Sequence, residues 1–216
     1  MATKVWGGKK FFNMKITIVD YGMGNIKSII GALKYLEVEE ITVSNNLSEL
    51  VSADKLILPG VGSFAMAMSN IKKLNIDKYL REAVIVDKKP ILGICLGMQL
   101  MGDSSTEDSY SYGLGFIKGA VSKFSESSLK IPHMGFNQVN INNNSKLFKG
   151  LNNLSDFYFV HSFRMTSDTN INQSTCTYNG EFIASYEQDN IAGVQFHPEL
   201  SQTNGLKLLS NFVTSF

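Results

Sequence analysis

Cysteine and histidine are scarce in this chain, and the few present do not cluster. Cys95, Cys176, His133, His161 and His197 are dispersed without the spacing of a ligand set, so no metal is expected. No apolar run approaches the roughly 18–20 residues of a membrane-spanning helix, and no membrane association is expected. Net charge is only +1. Lys4, Lys9 and Lys10 stand in residues 1–13 with no acid beside them, which leaves 17 basic against 19 acidic residues, or −2, in the remainder. That balance excludes nucleic-acid binding by charge. The first thirteen residues also lack the apolar core of a secretory signal, so a cytoplasmic protein with two reduced thiols is expected. A dinucleotide fingerprint is missing as well. Gly22 and Gly24 are followed by Lys27 where a third glycine would stand, so no cofactor is expected.

What remains suits a globular domain: 216 residues, 44% of them hydrophobic. Residues 1–13 read as an N-terminal extension, native or not, and 14–216 as a single domain. Residues 15–20 (KITIVD) form a β-branched run, after which Ile26, Ile29, Ile30, Leu33 and Leu36 recur at helical spacing. Further strands are expected at 41–43, 55–58 and 90–94, and helices at 64–73, 76–87 and from 96 to 101. This alternation predicts an α/β fold with a mostly parallel central sheet flanked by helices. The second half adds short extended runs at 114–117, 137–141, 157–161, 176–178, 182–186 and 191–196, packed or hairpinned around the parallel core. A helix over 205–212 closes the chain.

The most informative segment is Gly93-Ile94-Cys95-Leu96-Gly97, a glycine-x-nucleophile-x-glycine pattern at an expected strand-to-helix turn. Side chains at 93 and 97 would clash in so sharp a turn, while Cys95 is thrust out above the sheet. The partial positive charge of the following helix N-terminus favours the reactive thiolate. A buried structural cysteine is the bland alternative.

A base must come from one of the three histidines. His197, in Phe196-His197-Pro198-Glu199, follows an expected strand and is placed near an edge of the sheet. Pro198 biases it toward extended backbone, in which residues 197 and 199 project to one side. Glu199 is then set to orient the imidazole while the ring takes the proton of Cys95. Alone, this tetrapeptide reads equally well as a strand-end turn. Acyl chemistry further requires oxyanion donors. The backbone N–H of Leu96 is one candidate, and Gly60-Val61-Gly62, which alone reads as a plain turn, could bring another.

GICLGMQL (93–100), PGVGSF (59–64) and FHPE (196–199) resemble the class I glutamine amidotransferases. PHMGFN (132–137) and YFVHSF (158–163) narrow the resemblance to the glutaminase subunits of imidazole glycerol phosphate synthases. It runs from Lys15 to the C-terminal helix. The resemblance implies a Cys95, His197, Glu199 triad that hydrolyses L-glutamine through a glutamyl thioester. It also implies a heterodimer with a (β/α)₈-barrel cyclase subunit, which consumes the ammonia in making imidazole glycerol phosphate and an aminoimidazole carboxamide ribotide. By the same resemblance Gln99 and Glu107 hold the α-carboxylate and α-amino ends of glutamine, and His161, Ser162 and Phe163 border the substrate. His133 is expected to be structural. PGVG resembles an oxyanion loop that adjusts when the partner binds, so the isolated chain is expected to be a poor enzyme.

Three positions depart from the pattern. Leu200 stands where the family shows Lys or Arg, Phe136 where it shows Trp, and Phe163 where it shows Tyr. The first two leave open a paralogous glutaminase that feeds another synthase, such as one acting on a surface-polysaccharide sugar. A partner-stabilising subunit without turnover is a third reading, disfavoured by the intact triad.

Overall fold

The computed structural model describes residues 14–125 and 129–216. The expected extension at residues 1–13 lies outside the described residues. The chain opens with β1 (Lys15–Val19), α1 (Ile26–Tyr35), β2 (Glu40–Ser44), α2 (Leu47–Ser52), β3 (Lys55–Leu58), α3 (Phe64–Lys73) and α4 (Ile76–Leu80). It continues through β4 (Ile91–Ile94), α5 (Leu96–Leu100), β5 (Ser104–Ser105), β6 (Ser111–Tyr112), β7 (Ala120–Lys123), β8 (His133–Asn140) and β9 (Ser155–His161). β10 (Phe163–Thr166), β11 (Ser174–Thr177), β12 (Glu181–Gln188), β13 (Ile191–Val194) and α6 (Gln202–Ser215) complete it.

Nine strands form one sheet in the order β2-β1-β3-β4-β13-β12-β11-β8-β9. The first five are parallel. From β12 onward the pairing is antiparallel. The strands of the second half thus continue the parallel sheet rather than pack around it. β3, β4 and β13 are buried at every residue, as parallel strands covered on both faces must be, and their near-continuous apolar runs follow from this.

Alternation along β1 divides the core: Ile16 and Ile18 join α1 and α6 on one face, and Val19 joins α2, α3 and α4 on the other. On α6, Leu208, Leu209 and Phe212 are fully buried, each contributing about 1.5–3 kcal/mol of apolar transfer. The buried Lys55 ammonium donates to the carbonyl oxygens of Phe212 and Phe216 at 2.9 and 2.6 Å, filling acceptors that the end of α6 leaves open. On α3, Phe64, Ala67, Met68 and Ile71 bury one stripe.

Several local expectations change. The stretch 114–117 is no strand. Its N–H groups instead satisfy the end of α5, with Leu114 bonding Leu100 O, Gly115 bonding Gly102 O, and Phe116 and Ile117 both bonding Met101 O. Around it a four-stranded sheet, β10-β7-β5-β6, was not anticipated. The helix expected over 76–87 leaves α-helical geometry at Arg81 and runs as a π-helix through Val86. β13 lies mid-sheet between β4 and β12, not at an edge.

Candidate active site

Cys95 sits between β4 and α5 with φ 53° and ψ −111°, a region costing about 1–3 kcal/mol for a residue with a side chain. The strain is held because β4 is paired on both sides and the Cys95 N–H donates to Val194 O at 2.8 Å. Glycine is required on either side. A Cβ on Gly97 would stand 1.8 Å from Leu58 O, and one on Gly93 would stand 2.7 Å from Met98 N. Packing at that density is what pushes the thiol outward over the carboxyl end of the sheet.

β13 is the parallel neighbour of β4, so the residues beyond its end arrive beside Cys95. His197 is buried, its N–H donating to Tyr158 O at 2.9 Å and its carbonyl accepting from Ser201 Oγ at 2.6 Å. Its Nδ1 lies 2.8 Å from Glu199 Oε1. The two side chains meet across a 3₁₀ turn over Pro198–Leu200, not along an extended strand. With Nδ1 donating to the carboxylate, Nε2 is the nitrogen left for other work, and it has no hydrogen-bond partner. Burial alone would lower the pKa of this imidazole. The neighbouring Cys95 and Glu199 side chains outweigh burial and raise it to about 10.

A cavity of about 470 Å³ opens over the thiol, within the range of small-molecule sites. Cys95, Leu96 and His197 line it, with Val61 and Gly62 on one side and His161, Ser162 and Phe163 on the other. Gly60 is not on the wall. It lies beneath, where a Cβ would stand 2.7 Å from Gly97 N and the Tyr21 hydroxyl oxygen, so its part is close packing under the elbow. Gln99 and Glu107 also line the cavity. Burial raises the Glu107 carboxyl above its usual range, opposed by the Phe64 N–H that donates to Oε2 at 2.8 Å.

Pro132, Val160 and Gln195 were not anticipated. Pro132 and Val160 line the cavity, and Gln195 lies buried behind the sulfur. The signal for Gln195 was present in the sequence as a lone amide in the apolar run 191–196. His133 is buried against His161, 3.0 Å from ring nitrogen to ring nitrogen. Cys95 and Cys176 are free thiols. Among the described residues no group of His, Cys, Asp and Glu could hold a metal ion, and no helix is long and apolar enough to cross a membrane.

The fold and this constellation define an α/β protein in which a thiol and an imidazole line one small cavity and a buried carboxylate bonds the imidazole from behind. A family model, glutamine amidotransferase class-I, matches residues 17–216, and the chain belongs to that family. It is 48% identical over 198 residues to imidazole glycerol phosphate synthase subunit HisH 1 of Campylobacter jejuni, covering 91% of this chain and 98% of that one. The subunit HisH of Aquifex aeolicus is 42% identical over 200 residues, covering 92% and 96%. That of Pelagibacter ubique is 40% identical over 206, covering 93% and 99%. Among solved structures, PurLQS from Thermotoga maritima superposes with a TM-score of 0.68 at 18% identity, covering 92% of this chain and 97% of that one. The glutaminase domain of Trypanosoma brucei CTPS gives 0.64 at 14%, covering 92% of each. Both share the fold.

Proposed function

We propose that this chain is the glutaminase subunit of an imidazole glycerol phosphate synthase, hydrolysing L-glutamine and passing ammonia to a cyclase barrel subunit in histidine biosynthesis. The observation that carries the chemistry is the 2.8 Å contact from His197 Nδ1 to Glu199 Oε1, with His197 and the strained Cys95 thiol lining one cavity. The relatives named for that synthase carry the pathway.

Cys95 attacks the side-chain amide carbon of glutamine as a thiolate, and the carbonyl oxygen becomes an oxyanion within reach of the Leu96 N–H and the Val61–Gly62 loop. His197, held protonated by Glu199 and Cys95, gives its proton to the departing nitrogen, which leaves as ammonia. The neutral ring then takes a proton from water, whose oxygen attacks the glutamyl thioester; the sulfur leaves as the thiolate, restoring the starting pair, and glutamate departs as its acid proton passes to solvent. Glu107 supplies a negative charge for the substrate ammonium, and the 161–163 segment borders the other end. Gln99, expected from the resemblance to hold the carboxylate, instead gives both amide hydrogens to Phe163 O and Gln195 Oε1 and acts as part of the wall. Exposed Leu200 and Phe136 lie on the surface that partner choice would test.

The experiment is glutamate release by the full chain, alone and mixed with the barrel subunit of the same genome and its acceptor nucleotide. Strong stimulation by the mixture is expected, with Cys95→Ala inactive. Release that survives Cys95→Ala would overturn the chemistry. Release that no barrel subunit stimulates, though Cys95 is required, would overturn the partner and favour a paralogous synthase.

A further inference from the structure

The side chain of Gln195 is wholly buried between the cavity wall and the nucleophile. Its Nε2 lies 3.7 Å from Cys95 Sγ in donor geometry, and its Oε1 accepts from Gln99 Nε2 at 2.8 Å. The direction of this amide chain is forced from its far end. The Phe163 carbonyl oxygen can only accept, and it receives His161 Nδ1 at 2.8 Å and Gln99 Nε2 at 3.0 Å. Gln99 must therefore turn its NH₂ toward Phe163. Its second hydrogen goes to Gln195, so the atom it meets there must be oxygen. That leaves the NH₂ of Gln195 toward the sulfur. Reversing either amide would oppose donor to donor or carbonyl to carbonyl between buried side chains.

A neutral thiol is a weak acceptor, whereas hydrogen bonds to an ionised group are roughly twice as strong as neutral ones. We propose that Gln195 is a positioning residue: its amide, oriented from the Phe163 carbonyl through Gln99, donates to the Cys95 sulfur and favours the attacking thiolate. This rests on the reading of Cys95 as nucleophile. Other groups around the sulfur come from separate elements. They are the Val160 carbonyl oxygen, 3.9 Å away and able to accept from the neutral thiol, His197 with Glu199 behind it, Tyr21 from the turn after β1, and Glu107 and His161 across the cavity. A substitution at 195 leaves all of them in the sequence.

The test is the rate of Cys95 alkylation by iodoacetamide against pH on the full chain, with Cys95→Ala as the control for Cys176. Gln195→Leu and Gln195→Met remove the donor at similar volume. In either, the midpoint is expected to rise by about one pH unit, with roughly tenfold slower alkylation below the wild-type midpoint. An unchanged midpoint in a folded variant overturns the proposal. Should neither variant fold, the unaltered chain answers by NMR. The Gln195 side-chain amide protons are expected to shift with the alkylation midpoint, and protons that stay fixed overturn it. Failure of the glutaminase reading would show separately, as absent glutamate release with the thiol titration intact.

Discussion

His133 Nδ1 lies 3.0 Å from His161 Nε2, and the order of donors along this pair is fixed by its surroundings. His161 Nδ1 meets the acceptor-only Phe163 oxygen at 2.8 Å and so carries a proton. Its Nε2 must then accept from His133 Nδ1, and His133 Nε2 accepts from Asn137 Nδ2 at 3.2 Å. Both rings are neutral in this arrangement, and His133 is stacked between Phe159 and Tyr178.

Acid should therefore destabilise the fold through these two rings. Burial lowers the His133 pKa from 6.5 to about 4. For His161, burial and to a lesser extent the charges of His133 and His197 lower it to about 3, against the Phe163 hydrogen bond. Between those values and 6.5 the unfolded chain binds more protons than the folded one, so stability is whole above 6.5 and is lost as pH falls toward 4. The expected loss between pH 7 and 4.5 is about 2–4 kcal/mol. Urea midpoints across that range measure it, and His133→Phe should make the dependence shallower.

Glu199→Gln keeps the shape of the carboxylate and removes its charge. Because Glu199 helps to raise the His197 pKa against burial, the imidazole should titrate lower and the resting proton should be lost at neutral pH. We expect kcat to fall by about 10²–10⁴-fold, with the His197 ring titration, followed by NMR, moving downward. A variant with wild-type kcat would remove Glu199 from the mechanism.

Glu107→Gln separates binding from chemistry. The Phe64 N–H keeps an acceptor, so the loop should hold its shape, while the charge offered to a substrate ammonium disappears. KM for glutamine should rise at least tenfold, and iodoacetamide alkylation of Cys95 should be unchanged. Equal KM would assign Glu107 to the loop alone.

Two glycine substitutions should diverge. Gly97→Ala drives a methyl to 1.8 Å from Leu58 O, and backbone on both sides prevents relief, so soluble folded chain should be lost. Gly31→Ala, within α1 with nothing inside 4 Å, should stabilise by about 0.5–1 kcal/mol. Thermal melts of both variants provide the comparison.

The residues legible in the sequence were those whose constraint is local. Gly93 and Gly97 announce a turn in which only the cysteine between them can project, and Pro198 marks where the strand before it must stop. What the sequence concealed depended on distant acceptors. Residues 114–117 have the composition of a strand, yet the open carbonyls at the end of α5 capture their N–H groups. Pro198 and the strand before it suggest that Glu199 meets His197 along an extended chain, whereas a 3₁₀ turn brings them together. Gln195 has meaning only beside Gln99 and Cys95, which β13 reaches by inserting next to β4. α2 is too short for its periodicity to stand out.

The strand before His197 is the last of the described strands to leave the ribosome, yet it takes the middle place in the nine-stranded sheet. Until it arrives, β4 has one open edge, and Cys95 has neither the Val194 carbonyl that holds its backbone nor the imidazole beside it. Parallel pairing over such a separation is slow. A growing chain therefore carries Cys95 without its backbone anchor or its neighbouring imidazole until β13 is in place. The cost falls on chains that stall before Ile191, which keep unpaired edges on β4 and β12 and offer them to one another.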